Sequence, residues 1–349
     1  MSTELIPIFD GHNDLPYYLR ENRASSVAGL TDPATAPQTV IPQLRAGGVA
    51  AQFWSVFVHS NITGDTAVRW TLEQIDLVDR LIRAYPEDLA WATTAEAVRT
   101  SRAAGRIGGL LGIEGGNQIN ESLGALRMFA RLGVRYMTLT WSTTHSWADS
   151  ATDDPVYGGL SDFGREVVAE MNRIGMILDL SHVAPTVMDQ ALDLTALPVL
   201  FTHSNARALC AHPRNVPDEI IDRLPDNGGV HMLTFVPSFV SEARREWVRA
   251  GEHGTPPEVT VAEVADHVEY VRERIGIDHL GIGSDFCGTD SFPTGLDNAG
   301  TYPALIDELR ARRWSDEELR KLGFDNALRV LEAHDDNYRR FLAADQELP

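Results

Sequence analysis

Six polar side chains follow apolar runs directly: His12 and Asp14 in "IFDGHNDLP", Glu114 in "GIEGG", His182 in "LDLSHV", His203 in "FTHS" and Asp285 in "GIGSDF". A single histidine at a strand end is more often structural than functional, but three imidazoles and three carboxylates in equivalent positions form the donor set of a divalent metal centre. Neutral imidazole nitrogen and carboxylate oxygen both ligate Zn²⁺ at about 2.0–2.2 Å. In extended chain, residues two apart point to the same side, so His12 and Asp14 project together. A carboxylate has two oxygens and can bridge two ions about 3.5–4 Å apart. Glu114 lies in chain order between the His12/Asp14 pair and the His182/His203 pair and is assigned as that bridge. Asp285 is left for acid–base work, taking a proton from activated water and passing it to a leaving amine. The chemistry expected is hydrolysis of an amide or ester by attack of a metal-bridging hydroxide.

These residues need a scaffold that gathers strand ends on one rim. Eight apolar, β-rich runs bounded by Gly or polar turns are read as strands, over 5–12, 49–58, 107–115, 135–142, 175–182, 198–204, 228–236 and 280–286. In the first, Gly11 reads as the strand end. Stretches with apolar residues at helical spacing, such as "TLEQIDLVDRLIRAYP" and "LSDFGREVVAEMNRIG", lie between them. Strand–helix alternation repeated eight times predicts an α/β fold of the (β/α)8 TIM-barrel type, whose functional groups stand at the C-terminal strand ends. A doubly wound open sheet is the rival, disfavoured because no Gly-rich phosphate-binding turn follows the first strand. Residues 315–333 read as two further short helices packed on the barrel. No repeat, linker or low-complexity segment divides the chain, so residues 1–349 are expected to form one domain.

Composition narrows the partners. The chain has 349 residues, with 50 acidic against 30 Lys and Arg and a net charge of −20, which argues against nucleic acid or an anionic membrane surface. Cys210 and Cys287 are the only cysteines, so a disulfide framework or a Cys-based zinc ribbon is excluded. Neither a signal-peptide pattern nor an apolar stretch of transmembrane length occurs, and a cytoplasmic protein is expected. Serine chemistry lacks a G-x-S-x-G elbow, and "GIGSDFCG" lacks the Lys-Ser/Thr of a phosphate-binding loop.

With these residues in place, the chain resembles the membrane (renal) dipeptidase family, peptidase family M19, of the amidohydrolase superfamily. The resemblance runs over nearly the whole chain through "DGHNDLP", "GIEGGNQI", "YMTLTWSTTHSWADS", "LDLSHV", "FTHSNARAL", "HPRNVPDE", "GIGSDF" and a divergent "GFDNALRV". It implies a barrel with two zinc ions. His12 and Asp14 would hold one ion, His182 and His203 the other, with Glu114 bridging and Asp285 as general acid/base. Arg214 of "HPRN" would bind the C-terminal carboxylate of a dipeptide, a task a guanidinium fork suits. The family commonly accepts a D-residue at the C-terminal position, so L-Xaa-D-Xaa dipeptides are the expected substrates, and the resemblance suggests a homodimer.

Two positions depart from the family pattern. Where a substrate-binding His is usual after the fourth strand, this chain has Trp141, and His145 four residues on is the candidate to take its place. Where "GSDFDG" would carry an aspartate, Cys287 stands, read as a small packed residue. Trp141 keeps open a related amidohydrolase acting on N-acyl amino acids, modified dipeptides or lactams. A non-catalytic metal-binding barrel is the reading from another class, and an intact Asp285 argues against it.

Overall fold

The computed structural model describes residues 5–344. Nine segments are strands: β1 Ile8–Asn13, β2 Val49–Phe57, β3 Leu89–Trp91, β4 Ile107–Glu114, β5 Val134–Thr138, β6 Ile177–Asp179, β7 Leu200–Phe201, β8 Val230–Leu233 and β9 Leu280–Ile282. Every pairing is parallel. β1 pairs with β2 and β9, β2 with β4, and β4 to β9 follow one another, so eight strands close into the expected barrel. All nine residues of β2 and all eight of β4 are buried, as helices outside and packed side chains inside require.

β3 was not expected. It pairs with Ile107–Gly109 at the start of β4, on the side that β5 takes over from Leu111 onward. Three residues in length, it carries too little periodicity to be read from sequence. The first strand also runs past Gly11 to Asn13. Gly11 is there because a Cβ would lie 2.6 Å from Met232 Sδ and 2.7 Å from the Thr202 carbonyl, inside the barrel.

The barrel interior is aromatic. Phe9 stacks on Phe53 with centroids 5.4 Å apart, and Phe53 meets Tyr136 at 4.8 Å. Phe324 closes the N-terminal end of the barrel against Phe9 at 6.0 Å. Outside, helices such as Asp162–Ile174 and Val261–Ile275 bury one face, and each is held at its start by a hydroxyl residue. Ser161 accepts from Gly164 N–H, while Glu263 reaches back to accept from Thr260 N–H at 2.8 Å.

The C-terminal region differs from two short helices. Helix Asp316–Arg320 passes through a π turn, Lys321–Asp325, into one long helix, Asn326–Ala343. The π turn seats Gly323 where a Cβ would fall 2.5 Å from the Pro7 carbonyl, and it turns Phe324 into the barrel end. A buried ion pair clamps the long helix. Arg135, at the start of β5, meets Asp335 Oδ1 at 3.2 Å and donates to the Gly175 carbonyl at 3.1 Å, and its guanidinium lies 3.9 Å from the Tyr338 ring centroid. Asp335 Oδ2 also accepts from Ala95 N–H at 2.8 Å. Removing one partner leaves a buried uncompensated charge, so Asp335→Ala is expected to cost about 3–5 kcal/mol of stability in urea unfolding. A loss below about 1 kcal/mol would show that the pair is not what holds the helix.

Candidate active site

His12, Asp14, Glu114, His182, His203 and Asp285 sit at or just beyond the C-terminal end of a barrel strand. At the end of β1, the four residues Asp10 to Asn13 stand against three on β2, Gln52 to Trp54, and this bulge carries His12. Bulges re-aim side chains beside active sites. His12 Nε2 lies 3.2 Å from Asp14 Oδ2 and 3.4 Å from Glu114 Oε2. Despite two carboxylates so close, His12 Nε2 makes no hydrogen bond, and Asp14 Oδ1 is likewise buried without a partner. The other His12 nitrogen, Nδ1, meets the Tyr136 hydroxyl at 2.9 Å.

Glu114 ends β4, 4% exposed. Its Oε2 faces His12, and its Oε1 faces His182 Nε2 at 2.8 Å and His203 Nε2 at 3.4 Å. His182 and His203 Nε2 atoms are 3.0 Å apart. The edge of a tetrahedron with bonds of about 2.0–2.1 Å is about 3.3 Å. The spacings around both Glu114 oxygens lie near that edge, and atoms of His12, Glu114 and His203 also lie within 4.8 Å of one another. Two neutral imidazole nitrogens and a carboxylate oxygen so close, with few protons to share, have the donor chemistry of a cation site.

Hydrogen bonds behind the ligands set their orientation, as metal ligands require. His203 Nδ1 meets Thr202 Oγ1 at 2.9 Å, and Thr202 Oγ1 donates to Asp179 Oδ2 at 2.7 Å. Asp179, fully buried, also accepts from Thr138 Oγ1 and from the Ser181 and Thr202 backbone N–H groups, tying β5, β6 and β7 together below His182 and His203. Asp10 does the same for β1 and β9, accepting from Ser284 N–H and Oγ at 2.8 Å, Gln52 Nε2 at 2.9 Å and the Tyr302 hydroxyl at 2.9 Å. Sequence reading passed over Asp10, Asp179 and Tyr136. The signal available was a carboxylate inside an apolar strand, two or three residues before a candidate histidine.

Burial and charge act in opposite directions at this site. Burial alone would raise the Glu114 carboxyl, but the charge of His12 and the facing His182 and His203 imidazoles hold it well below the ordinary range. Burial disfavours a charged His12, yet the Tyr136 hydroxyl and the Asp14 and Glu114 carboxylates raise it well above the usual imidazole value. Burial, with Arg214 nearby, pulls His182 down to about 3, and His203 moves the same way. Asp285 is pushed up to about 8 by burial, opposed by His12 and aided by Asp14 and Glu114.

His182 and Asp285 share a further property: both have positive φ, 69° and 66°. Non-glycine residues held there cost on the order of 1–3 kcal/mol each and cluster at functional sites. Oxygen or nitrogen atoms of His12, Asp14 and Asp285 lie within 4.8 Å of one another. The geometry therefore sets Asp285 beside the His12/Asp14 pair.

These groups floor an open cleft of about 560 Å³, also lined by Tyr17, Phe57, His59, Trp141, Arg214, Phe239 and Cys287. Arg214 is 3% exposed, donates to Ser204 Oγ and to the His203 carbonyl, and keeps Nε unpaired. Trp141 packs edge-on against Phe57 and His59, with centroids 4.8 and 4.7 Å away. Burial pushes the Cys287 thiol up to about 12, in keeping with a packed, unreactive residue. His145 departs from expectation. Its Nε2 meets the Leu139 carbonyl at 2.8 Å and its ring packs on Trp147 at 4.5 Å, so it lines a separate hollow with Asn117 and Thr144. It does not take the place left by the family histidine. His59, which follows the 49–58 run directly yet was passed over in the sequence, and His212 are the additional imidazoles that line the cleft.

Comparison with known proteins adds to this geometry. The profile of the membrane dipeptidase family, peptidase family M19, matches residues 3–344. Dipeptidase 3 of Homo sapiens is 41% identical over 330 residues, covering 93% of this chain, which spans 64% of that relative's length. Dipeptidase 3 of Rattus norvegicus is 40% identical over the same share of each. Among solved structures, a metallopeptidase from Rhodobacter sphaeroides bound to a phosphinate mimic of the dipeptide L-Ala-D-Ala has a TM-score of 0.85 at 28% identity, covering 95% of this chain and 100% of that one. A dipeptidase of family M19 has a TM-score of 0.85 at 30% identity, covering 95% of this chain and 99% of its own.

Two outcomes are expected. Tyr136→Phe removes the hydroxyl on His12 Nδ1 and should weaken zinc binding by about 10–100-fold in competition with a chelator; unaltered affinity would reduce Tyr136 to a packing role. His12 and Asp285 hold protons at pH 7 in the metal-free site because both are raised. Zinc uptake at pH 7 should therefore release about one to two protons, and affinity should rise with pH, as calorimetry in buffers of different ionisation enthalpy would read. Uptake without proton release would contradict the assignment.

Proposed function

The chain belongs to the membrane dipeptidase family, peptidase family M19, and on that premise we propose that it is a dipeptidase working with two divalent ions, zinc foremost. The proposed substrates are small dipeptides of the L-Xaa-D-Xaa kind. The observation that carries this reading is the division of Glu114 between two ligand groups at tetrahedral spacings. His12, Asp14 and Glu114 Oε2 would hold one ion, and His182, His203 and Glu114 Oε1 the other.

Two ions so held supply a water of lowered pKa and a polarised carbonyl. This chain's residues do the rest. Asp285, within reach of the His12/Asp14 group, takes one proton of the attacking water as the C–O bond forms. It delivers that proton to the amide nitrogen as the C–N bond breaks, leaving two amino acids. Arg214 has a free Nε and, among the described residues, no carboxylate partner within salt-bridge distance, so the C-terminal carboxylate of the substrate is a fitting mate. A dipeptide mimic ending in D-Ala bound to the Rhodobacter sphaeroides relative supports the D-residue at that end.

The test is release of free amino acids from a Gly/L-Xaa–D-Xaa dipeptide library by zinc-loaded protein. Asp285→Asn should keep two bound ions and lose at least about 10²–10⁴-fold in turnover. Full activity in that variant would remove Asp285 from the mechanism. No hydrolysis by wild-type protein carrying two ions would favour the second reading, an amidohydrolase of N-acyl amino acids or lactams, which the bulk of Trp141 in the cleft already recommends.

A further inference from the structure

The two sides of the cleft differ in chemistry. Around the closed barrel the strands run β1, β2, β4, β5, β6, β7, β8, β9, so β2 and β4 lie across from β7 and β8. Arg214 follows β7. Tyr17, Phe57, His59 and Trp141, which follow or end β1, β2 and β5, form an aromatic arc centred on the opposite side. The candidate metal ligands lie between.

The arc is packed together by its own contacts. The indole of Trp141 is wedged between Phe57 and His59 at interplanar angles of 61° and 62°, and Tyr17 meets Phe57 edge-on at 4.8 Å. The Trp141 carbonyl is held by Ser150 Oγ at 2.6 Å, which fixes the backbone that presents the ring. None of the four side chains is a carboxylate, an ammonium or a guanidinium. A charged side chain entering there would lose water with at most the His59 imidazole to pair with, whereas a ring gains edge-to-face contacts. A cleft of about 560 Å³ has room for a dipeptide with one large side chain.

We propose that this arc is the subsite for the N-terminal side chain, that Trp141 is its specificity-determining residue, and that the chain favours dipeptides with an aromatic N-terminal residue. This rests on the dipeptidase reading and on Arg214 as the anchor of the C-terminal carboxylate. With that anchor occupied and the scissile amide over the metal ligands, the N-terminal side chain is the part of the substrate that reaches the opposite side.

The experiment compares Phe-D-Ala, Leu-D-Ala, Gly-D-Ala and Glu-D-Ala with zinc-loaded wild type, Trp141→Ala and Trp141→Phe. Wild type is expected to favour Phe over Gly by about 10–100-fold in kcat/KM, chiefly through KM. Trp141→Ala should shrink that ratio about tenfold, and Trp141→Phe should restore part of it. A Phe-to-Gly ratio unchanged by Trp141→Ala would overturn the proposal. So would a wild type that prefers Gly or Glu, since the indole would then be closing the subsite or serving a polar one. If no dipeptide is hydrolysed, the dipeptidase reading fails by itself, and calorimetric binding of Phe-D-Ala and Gly-D-Ala decides the subsite. Tighter binding of the Phe compound, lost in Trp141→Ala, supports it; equal binding refutes it.

Discussion

One buried carboxylate, Glu114, faces imidazoles with both of its oxygens, and much of the upper barrel is arranged around it. It is 4% exposed, with three imidazole nitrogens within 3.4 Å, and Ser55 Oγ donates to its Oε2 at 3.3 Å. A charge so placed costs several kcal/mol unless it is compensated. The compensation comes from β1, β2, β6 and β7, not from residues near Glu114 in sequence. The barrel must therefore close in register before the site exists.

Closure imposes exact fits inside the barrel. Tyr136 reaches His12 because Gly112, on the neighbouring strand, leaves its ring room; a Cβ there would come within 2.0 Å of the ring. Asp10 and Asp179 each gather several donors from adjacent strands, converting buried charge into fixed strand ends. The left-handed backbone at His182 and Asp285 falls on this rim, where strained backbone most often accompanies function. At the opposite end, Phe324 and the Arg135–Asp335 pair fasten the C-terminal helix. Stability is thus concentrated at one end of the barrel and chemistry at the other, as this architecture allows.

The rim above the ligands is where the chain departs from its family pattern. Trp141 takes a place where an imidazole would be expected, and neighbouring aromatic residues enclose it, so the change alters a whole wall of the cleft. Cys287, the other departure, sits quietly in the same cleft with a thiol that burial keeps protonated. Neither touches the ligand geometry.

The eight barrel strands and the gathering of the six polar residues on one rim were legible in the sequence, because apolar runs ending in a polar side chain are local signals. β3, the continuation of β1 through Gly11, and the single long C-terminal helix were not. A three-residue strand has no period to read, and a π turn looks like a helix break. The place of His145 was equally out of reach, since whether a loop imidazole enters a cleft or packs on Trp147 depends on contacts between distant segments. The same holds for Tyr136 behind His12 and for the aromatic arc across from Arg214. Sequence by itself determined which side chains could bind metal and in what order along the chain. Only the tertiary structure decided which atoms face one another, because parallel closure brings together residues from opposite ends of the chain.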